Sequence, residues 1–170
     1  MKNIFLGFII LSAVFVSCSK DETCKFNDST VVAPASETTA VEAYLTANGI
    51  TNAQKHPAGF YYKITQAGTG KSIVNLCSNV LVNYTGRFTN GTYFDPTIPG
   101  TTSSAEFTLD QVIPGWQKGL PLINAGGKIT LYIPPSLGYG KDDLKNPNTG
   151  VVVIPGNSIL IFDVDLVNVS

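Results

Sequence analysis

The sequence predicts an α+β domain in which a curved antiparallel β-sheet wraps around one short α-helix, with a further helix on its N-terminal side. Two observations support this class. Apolar residues alternate with a period of two in most segments after residue 58, and one short segment begins with Pro114 in the manner of a helix. The 16 glycines and 10 prolines favour turns and short strands over long helices.

Five segments of the β-rich region are predicted to be strands, and they are residues 60–65, 80–88, 106–109, 128–133 and 158–169. Asn90-Gly91 supplies a hairpin turn after the second of them. Residues 114–120 are predicted to form the short helix, with Pro114 in its first turn and Pro121 as its stop. Asp163 and Asp165 alternate along the last strand, so we assign both to a solvated face.

The segments that precede the sheet are predicted from polarity and helical spacing. Residues 18–35 are polar and aperiodic, which indicates a tether, and residues 36–57 hold a helix and a connection to the domain over residues 58–170. Ser36 is the expected N-cap, and Asn48-Gly49 is the expected stop. The apolar residues at helical spacing are Ala40, Val41, Tyr44 and Leu45. This helix is short for a coiled coil, so we expect it to pack against the domain of a monomer, with a role in dimerisation as the alternative.

The charge balance excludes two classes of protein. The 170 residues include 11 Lys and Arg against 12 Asp and Glu, and charged residues make up 14% beside 44% hydrophobic residues. The high apolar share excludes a chain that is disordered throughout. The near-neutral charge argues against nucleic acid as a partner, because electrostatic binding of nucleic acid needs a concentrated basic face.

Residues 1–17 are typical of a secretory signal peptide. Lys2 precedes an apolar run over residues 4–16, which is too short to span a bilayer, and small Ser17 follows it. A buried N-terminal helix is the alternative interpretation, and the absence of any polar face along the run weighs against it.

The end of this segment, Phe15-Val16-Ser17-Cys18, resembles the lipobox of bacterial lipoproteins, although Phe15 departs from the usual aliphatic residue. The resemblance implies that Cys18 becomes the lipidated first residue of an exported protein. Its acyl chains would anchor the chain to a bacterial membrane, which we expect to be the outer membrane, at the periplasmic face or the cell surface. The charged residues 19–22 are either a sorting signal or part of a solvated tether.

Two cysteines remain once Cys18 is set aside. An exported protein lies in an oxidising compartment, where Cys24 and Cys77 can form a disulfide. That bridge would close a loop of about 53 residues and stabilise the fold by about 4 kcal/mol on the chain-entropy model. Two free thiols are the alternative. No metal site is expected, because His56 is the one histidine and no close pair of cysteines exists.

The residues present do not support nucleophilic or acid–base catalysis. Such catalysis needs a histidine base, and His56 lies before the β-rich region and is followed by Pro57. The remaining candidates for a site are apolar and aromatic side chains from separate segments, and core packing is the alternative interpretation for them. They are Tyr84, Phe94, Val112, Ile113, Trp116, Tyr139, Ile154 and Phe162.

The order of these residues resembles the FKBP-type peptidyl-prolyl cis-trans isomerases through most of residues 80–167. Any one matching block would be weak, but the ordered set is specific. The blocks are Val82-Asn83-Tyr84-Thr85-Gly86, Asn90-Gly91-Thr92-Tyr93-Phe94-Asp95, Phe107-Thr108-Leu109-Asp110-Gln111-Val112-Ile113-Pro114-Gly115-Trp116, Ile133-Pro134-Pro135-Ser136-Leu137-Gly138-Tyr139-Gly140, Ile154-Pro155-Gly156-Asn157 and Ile159-Leu160-Ile161-Phe162-Asp163-Val164.

This resemblance implies an FKBP-like fold with a pocket between the sheet and the short helix. Trp116 is the implied floor of the pocket, and the implied walls are Tyr84, Phe94, Val112, Ile113 and Phe162. The implied hydrogen-bond donors to a substrate carbonyl are the Tyr139 hydroxyl and the Ile113 N–H, and Asp95 is the implied polar partner at the rim. Val153 and Ile154 are implied to be further substrate contacts.

The implied activity is isomerisation of X–Pro bonds in exported proteins, without a cofactor. The implied partners are proline-containing polypeptides, and macrolide inhibitors of this family are possible ligands. Two departures from the family pattern are Ala105, where many relatives carry another pocket aromatic, and a long connection over residues 140–153 that could select or block substrates. A non-catalytic module that binds proline peptides or acts as a chaperone therefore stays open, as does a surface lipoprotein whose aromatics only form the core.

Overall fold

Two antiparallel sheets and two α-helices make up the described part of the chain, which is residues 24–95 and 104–170 of a computed structural model. The predicted signal peptide, Cys18 and the charged residues 19–22 lie outside the described residues. The strands are β1 (Gln54–Lys55), β2 (Tyr61–Gln66), β3 (Asn79–Phe88), β4 (Ala105–Thr108), β5 (Gly127–Ile133), β6 (Leu144–Lys145), β7 (Val152–Ile154) and β8 (Leu160–Val169). The helices are α1 (Ala35–Ala47) and α2 (Pro114–Gly119).

The larger sheet has six strands in the order β1-β2-β5-β8-β3-β4, and every neighbouring pair in it is antiparallel. Its two longest strands, β3 and β8, pair from Val80 opposite Val169 to Phe88 opposite Leu160. Buried residues alternate along these strands, so one face of the sheet contributes to the main core. The prediction for Asp163 is confirmed, because its half-exposed carboxylate lies on the other face, 3.2 Å from Arg87.

Helix α2 packs closely against strand β5 because two of its positions are glycines. A Cβ atom at Gly115 would lie 2.7 Å from the Ile133 side chain, and one at Gly119 would lie 2.7 Å from the Leu131 side chain. The predicted end of this helix is wrong by one residue. The α-helix ends at Gly119, and a 3₁₀ turn over Leu120–Leu122 includes Pro121, since the first turn of such a helix needs no N–H from proline.

Helix α1 covers the outer face of the sheet, where Val41 and Leu45 pack with Tyr61, Tyr132 and Ile161 in a second hydrophobic cluster. The predicted N-cap at Ser36 is wrong, because α1 begins at Ala35 with Pro34 in the capping position and no side-chain cap. The fixed φ of proline suits this entry into a helix. The helix ends at Ala47 with Asn48 as its C-cap, which confirms the predicted stop, and Gly49 follows with a φ of +67°.

The segment before α1 is attached to the domain at several points. Cys24 and Cys77 are joined by a disulfide. The Ala33 N–H donates to the carbonyl of Ala58 at 2.8 Å, and the Thr38 hydroxyl donates to the carbonyl of Gly59 at 3.1 Å. The described part of the predicted tether is therefore held against the domain.

The connection predicted as a loop over residues 140–153 instead contains most of a hairpin, in which β6 pairs with β7. The pairing sets Leu144 opposite Ile154 and Lys145 opposite Val152. Valine and isoleucine favour extended strands, which explains why residues 152–154 form strand β7 here. Among residues 24–95 and 104–170, we find no helix with the length and apolar character needed to cross a membrane.

Candidate active site

A cavity of about 190 Å³ lies where the start of α2 meets strands β3, β4 and β8. We call it the aromatic cavity. Its lining residues are Tyr84, Asp95, Phe107, Gln111, Val112, Ile113, Trp116, Tyr139 and Phe162. Seven of these nine are residues that the sequence predicts for the site: Tyr84, Asp95, Val112, Ile113, Trp116, Tyr139 and Phe162.

Trp116 forms the floor of the aromatic cavity and is only 4% exposed. Three rings meet it nearly perpendicularly, with centroids 5.1 Å away at Tyr84, 5.8 Å at Phe107 and 5.3 Å at Phe162. Edge-to-face contacts of this kind are the arrangement that aromatic pairs prefer. The floor is therefore fixed by rings from three different strands.

Tyr84 and Asp95 form the polar side of the cavity. The Tyr84 hydroxyl donates to the Asp95 carboxylate at 2.6 Å. A hydrogen bond to a charged acceptor is stronger than a neutral one, so it holds the carboxylate in a defined position. The structure thus places Asp95 beside the aromatic rings instead of in open solvent.

Two donor groups border the cavity without an internal acceptor in residues 24–95 and 104–170. The Ile113 carbonyl accepts from the N–H groups of Trp116 and Gln117 at the start of α2, whereas the Ile113 N–H has no acceptor within those residues. The Tyr139 hydroxyl forms no hydrogen bond there either, and the side chain is 46% exposed. Burial raises the pKa of Tyr139 and the charge of Asp95 raises it further, so the phenol keeps its proton at neutral pH.

Phe94 lies behind the cavity wall and is not among the residues that line it, so its role as a substrate contact stays a prediction. Its ring contacts Phe162, with centroids 5.5 Å apart, and Phe88, with centroids 4.9 Å apart. It occupies space that Gly86 leaves open, because a Cβ atom on Gly86 would come within 2.6 Å of the Phe94 ring. Phe94 therefore supports Phe162 and does not line the cavity itself.

Val153 and Ile154 are not among the residues that line the cavity either, so their role as substrate contacts stays a prediction. Successive side chains of a strand point to opposite faces, so these two neighbours on β7 cannot share one environment. Ile154 is 4% exposed and joins the main core, whereas Val153 is 40% exposed on the hairpin.

The sequence reasoning missed two lining residues, Phe107 and Gln111. Ala105 stands where many relatives carry another pocket aromatic, but Phe107 lies two residues further along β4 and packs its ring against Trp116. The alternation of a strand places residues two apart on the same face, and that signal could have identified Phe107. For Gln111, which lies in the 3₁₀ turn Leu109–Gln111, the sequence contains no comparable signal.

His56 lies away from the aromatic cavity and takes part in local packing. Its Nδ1 accepts from the Ala58 N–H at 3.1 Å, and its ring stacks on Phe60 with centroids 4.4 Å apart. It lines a different cleft, which Lys118 also borders, and burial followed by the charge of Lys118 lowers its pKa. Across the described ranges, no group of three or more His, Cys, Asp or Glu residues could hold a metal ion.

Comparison with known proteins places this geometry in a family. The family model described as FKBP-type peptidyl-prolyl cis-trans isomerase matches residues 70–167. A probable FKBP-type isomerase of Haemophilus influenzae is 43% identical over 113 residues, which are 66% of this chain and 44% of that protein. FkpA of Escherichia coli K12 is 43% identical over 112 residues, which are 66% of this chain and 38% of that protein. The chain thus matches less than half the length of these relatives.

Solved structures agree with the family match. The crystal structure of FkpA from Escherichia coli superimposes with a TM-score of 0.65 at 36% identity, covering 80% of this chain and 60% of that one. A peptidyl-prolyl cis-trans isomerase from Pseudomonas syringae superimposes with a TM-score of 0.64 at 26% identity, covering 81% of this chain and 97% of that one. Since the family model spans more than half of its residues, the chain belongs to the FKBP-type peptidyl-prolyl cis-trans isomerases.

Proposed function

We propose that this chain catalyses the cis–trans isomerisation of X–Pro peptide bonds in exported polypeptides, and that the aromatic cavity is its active site. One observation carries the proposal: the cavity combines a buried indole floor with two hydrogen-bond donors that have no internal acceptor in residues 24–95 and 104–170. A proline ring is apolar and the carbonyls that flank it are acceptors, so its chemistry matches both features.

The reaction needs no bond to be made or broken, in keeping with a site built from apolar groups. Rotation about an X–Pro bond has a barrier of about 18–20 kcal/mol that arises from amide resonance. The twisted transition state has lost this resonance and is less dipolar than the planar amide. An apolar cavity solvates the planar amide poorly and penalises the twisted form less, which lowers the barrier between them.

Each proposed catalytic residue has a distinct role. Tyr139 and the Ile113 N–H donate to the carbonyls that flank the proline and hold the chain in a turned geometry. Trp116, Val112 and Phe162 contact the ring of the proline, and Phe94 keeps Phe162 in place. Asp95, oriented by Tyr84, provides a fixed negative charge at the rim.

Export and lipid anchoring are part of the same proposal. The disulfide between Cys24 and Cys77 supports an oxidising compartment, where such bonds persist. The proposed anchor is a lipid on Cys18. Incorporation of a fatty-acid probe into the wild-type chain, and its loss in Cys18→Ala, is the expected result. Equal labelling of both chains would contradict the anchor without affecting the isomerase proposal.

A peptide-exchange assay tests the activity directly. Wild-type protein should accelerate cis–trans exchange of a short proline peptide, and Asp95→Ala should lose about tenfold or more of that acceleration, since a charged hydrogen bond is worth about 1.5–3 kcal/mol. The matched control is Asp165→Ala, which removes a half-exposed carboxylate from the outer face of the sheet. A macrolide ligand of this family should displace the peptide and change the fluorescence of Trp116.

The assay also separates the two alternatives. Peptide binding without any acceleration would indicate a non-catalytic binding or chaperone module. A folded chain that neither binds the peptide nor changes Trp116 fluorescence with the macrolide would indicate that the aromatics only form the core.

A further inference from the structure

A hydrogen bond joins the first turn of α1 to the loop that carries Tyr139. The Ser136 N–H donates to the Glu37 carboxylate at 2.8 Å, between residues that are 99 positions apart in sequence. Both residues are partly buried. The FKBP family match begins only at residue 70, so Glu37 lies outside the segment on which the function was proposed.

The Ser136 N–H is a donor that the loop does not satisfy by itself. Residues Pro135–Leu137 form a 3₁₀ turn, and its first residue is a proline without an N–H. Inside the turn, Leu137 N–H donates to Pro134, while Gly138 N–H and Gly140 N–H both donate to Pro135. Those bonds leave Ser136 N–H without an acceptor in the turn, and the Glu37 carboxylate is that acceptor.

The Tyr139 side chain depends on this turn for its position. Tyr139 follows the turn by two residues, is half-exposed and forms no side-chain hydrogen bond among the described residues. Within residues 24–95 and 104–170, no hydrogen bond therefore fixes its hydroxyl. The backbone of the turn contributes to where that hydroxyl points. The Glu37 contact ties this backbone to the rest of the protein, together with the buried Pro135 and Leu137 and with the Asn157 N–H, which donates to the Gly140 carbonyl at 3.0 Å.

Glu37 itself has a firm support. The next residue, Thr38, is buried and donates its hydroxyl to the carbonyl of Gly59. One turn later, Val41 is fully buried against the outer face of the sheet. A carboxylate in the first turn also interacts favourably with the dipole of the helix. The Glu37 carboxylate therefore projects from a helix that is fixed to the domain at Thr38 and at Val41.

We infer that Glu37 is a positioning residue, which holds the Pro135–Leu137 turn so that the Tyr139 hydroxyl points towards a substrate carbonyl in the aromatic cavity. The inference rests on the proposed function insofar as it takes Tyr139 to be a donor to substrate. It adds that the N-terminal helix, which lies outside the family match, takes part in forming the site.

A double-mutant cycle tests whether Glu37 acts through Tyr139. Glu37→Ala should lower kcat/KM by about three- to tenfold, which corresponds to one hydrogen bond. Glu37→Gln keeps an acceptor oxygen and should recover most of the loss. In a Tyr139→Phe background, Glu37→Ala should cause almost no further loss, because the hydroxyl that it positions is gone. An equal loss in both backgrounds would overturn the inference.

The matched control is Glu42→Ala, which removes the same charge from the same helix and should leave kcat/KM unchanged. Amide hydrogen exchange supplies a readout that is independent of activity. Exchange at Ser136 should speed up in Glu37→Ala and not in Glu42→Ala, and unchanged exchange at Ser136 would overturn the contact. Faster exchange at Ser136 with full activity would overturn the positioning role.

The double-mutant cycle of Glu37→Ala and Tyr139→Phe is also carried out with the dissociation constant of the proline peptide as the measured quantity. An inactive wild-type chain that still binds the peptide would remove the proposed activity, while the coupling between Glu37 and Tyr139 would still appear in binding. A wild-type chain that neither binds nor isomerises the peptide overturns both proposals.

Discussion

Gly86 lies beneath the aromatic wall, at a point where even one methyl group does not fit. Its position on β3 faces the Phe94 ring at 2.6 Å and the Phe162 ring at 3.1 Å, measured from the place a Cβ atom would take. The shape of the aromatic cavity therefore depends on residue 86 being a glycine. At the residue scale, this explains why Phe94 influences the cavity without lining it.

Gly86→Ala should displace Phe94 and, through it, Phe162. We expect an overpacking cost of about 1–3 kcal/mol in the free energy of unfolding and a lower kcat/KM. The double variant Gly86→Ala with Phe94→Leu removes the clash and should recover part of the stability relative to Gly86→Ala alone. Urea denaturation of the wild-type and the two variant chains measures this, and a Gly86→Ala chain with unchanged stability and activity would contradict it.

His56 gives the stability of the protein a dependence on pH. Burial and the charge of Lys118 lower its pKa from the ordinary value of 6.5, so the unfolded chain binds the proton more readily than the folded one. The free energy of unfolding should therefore fall as the pH is lowered below 6.5. His56→Asn keeps an acceptor for the Ala58 N–H but does not titrate, so it should flatten this part of the profile.

The measurement for His56 is a set of denaturation curves between neutral pH and about pH 5, above the range in which most carboxylates titrate. Wild-type and variant curves that fall in parallel over that range would show that another group is responsible. Activity should not change in His56→Asn, because the residue lies in a different cleft from the aromatic cavity.

At the scale of elements, what the sequence could predict depended on how local the signal was. The strands that pair as β3 and β8 and the short helix at Pro114 are confirmed within one or two residues, since alternation and proline act locally. The hairpin of β6 and β7 was not predicted, because its pairing joins segments with several polar and loop-forming residues between them. The pairing also determines which of Val153 and Ile154 faces the core, so this could not be predicted either.

The residues of the aromatic cavity also differ in whether a local sequence signal identifies them. Trp116, Tyr84 and Tyr139 were identified by ordered motifs, and the structure brings them together. Glu37 has no motif of its own, and its partner Ser136 is 99 positions away, so only the fold reveals the contact. The prediction of an N-cap at Ser36 was wrong because Pro34 occupies the capping position and the helix begins at Ala35.

Helix α1 should contribute measurably to the stability of the sheet beneath it. Leu45 is 4% exposed in the cluster with Tyr61 and Tyr132, so Leu45→Ala should lower the free energy of unfolding by about 2–3 kcal/mol. Thr39→Ala, at an exposed position of the same helix, is the control and should change it by less than about 0.5 kcal/mol. Equal effects of the two substitutions would mean that α1 is not packed as described.

At the scale of the whole molecule, the disulfide closes a loop that contains α1, β1 and β2. Cys24 and Cys77 are 53 positions apart, so the bridge restricts a large part of the unfolded chain. The Cys24→Ser and Cys77→Ser double variant should lose about 4 kcal/mol of unfolding free energy on the chain-entropy model. Its kcat/KM should stay close to the wild-type value, since neither cysteine lines the aromatic cavity.

The comparison for the disulfide is the wild-type chain with and without a reducing agent. Reduction should shift the denaturation midpoint of the wild type to that of the double variant and leave the variant unchanged. A wild-type midpoint that does not respond to full reduction would contradict the stabilising role.

The disulfide also determines which part of the chain carries a force that is applied on the N-terminal side of Cys24. A pulling force applied before Cys24 is carried by the disulfide bond to the backbone of Cys77. Strand β3 begins two residues later, at Asn79. The covalent loop between the two cysteines, with α1 and its Glu37 contact inside it, lies off this force path. A force applied on the N-terminal side of Cys24 would thus load the sheet from β3 onward and bypass the helix beside the loop that carries Tyr139.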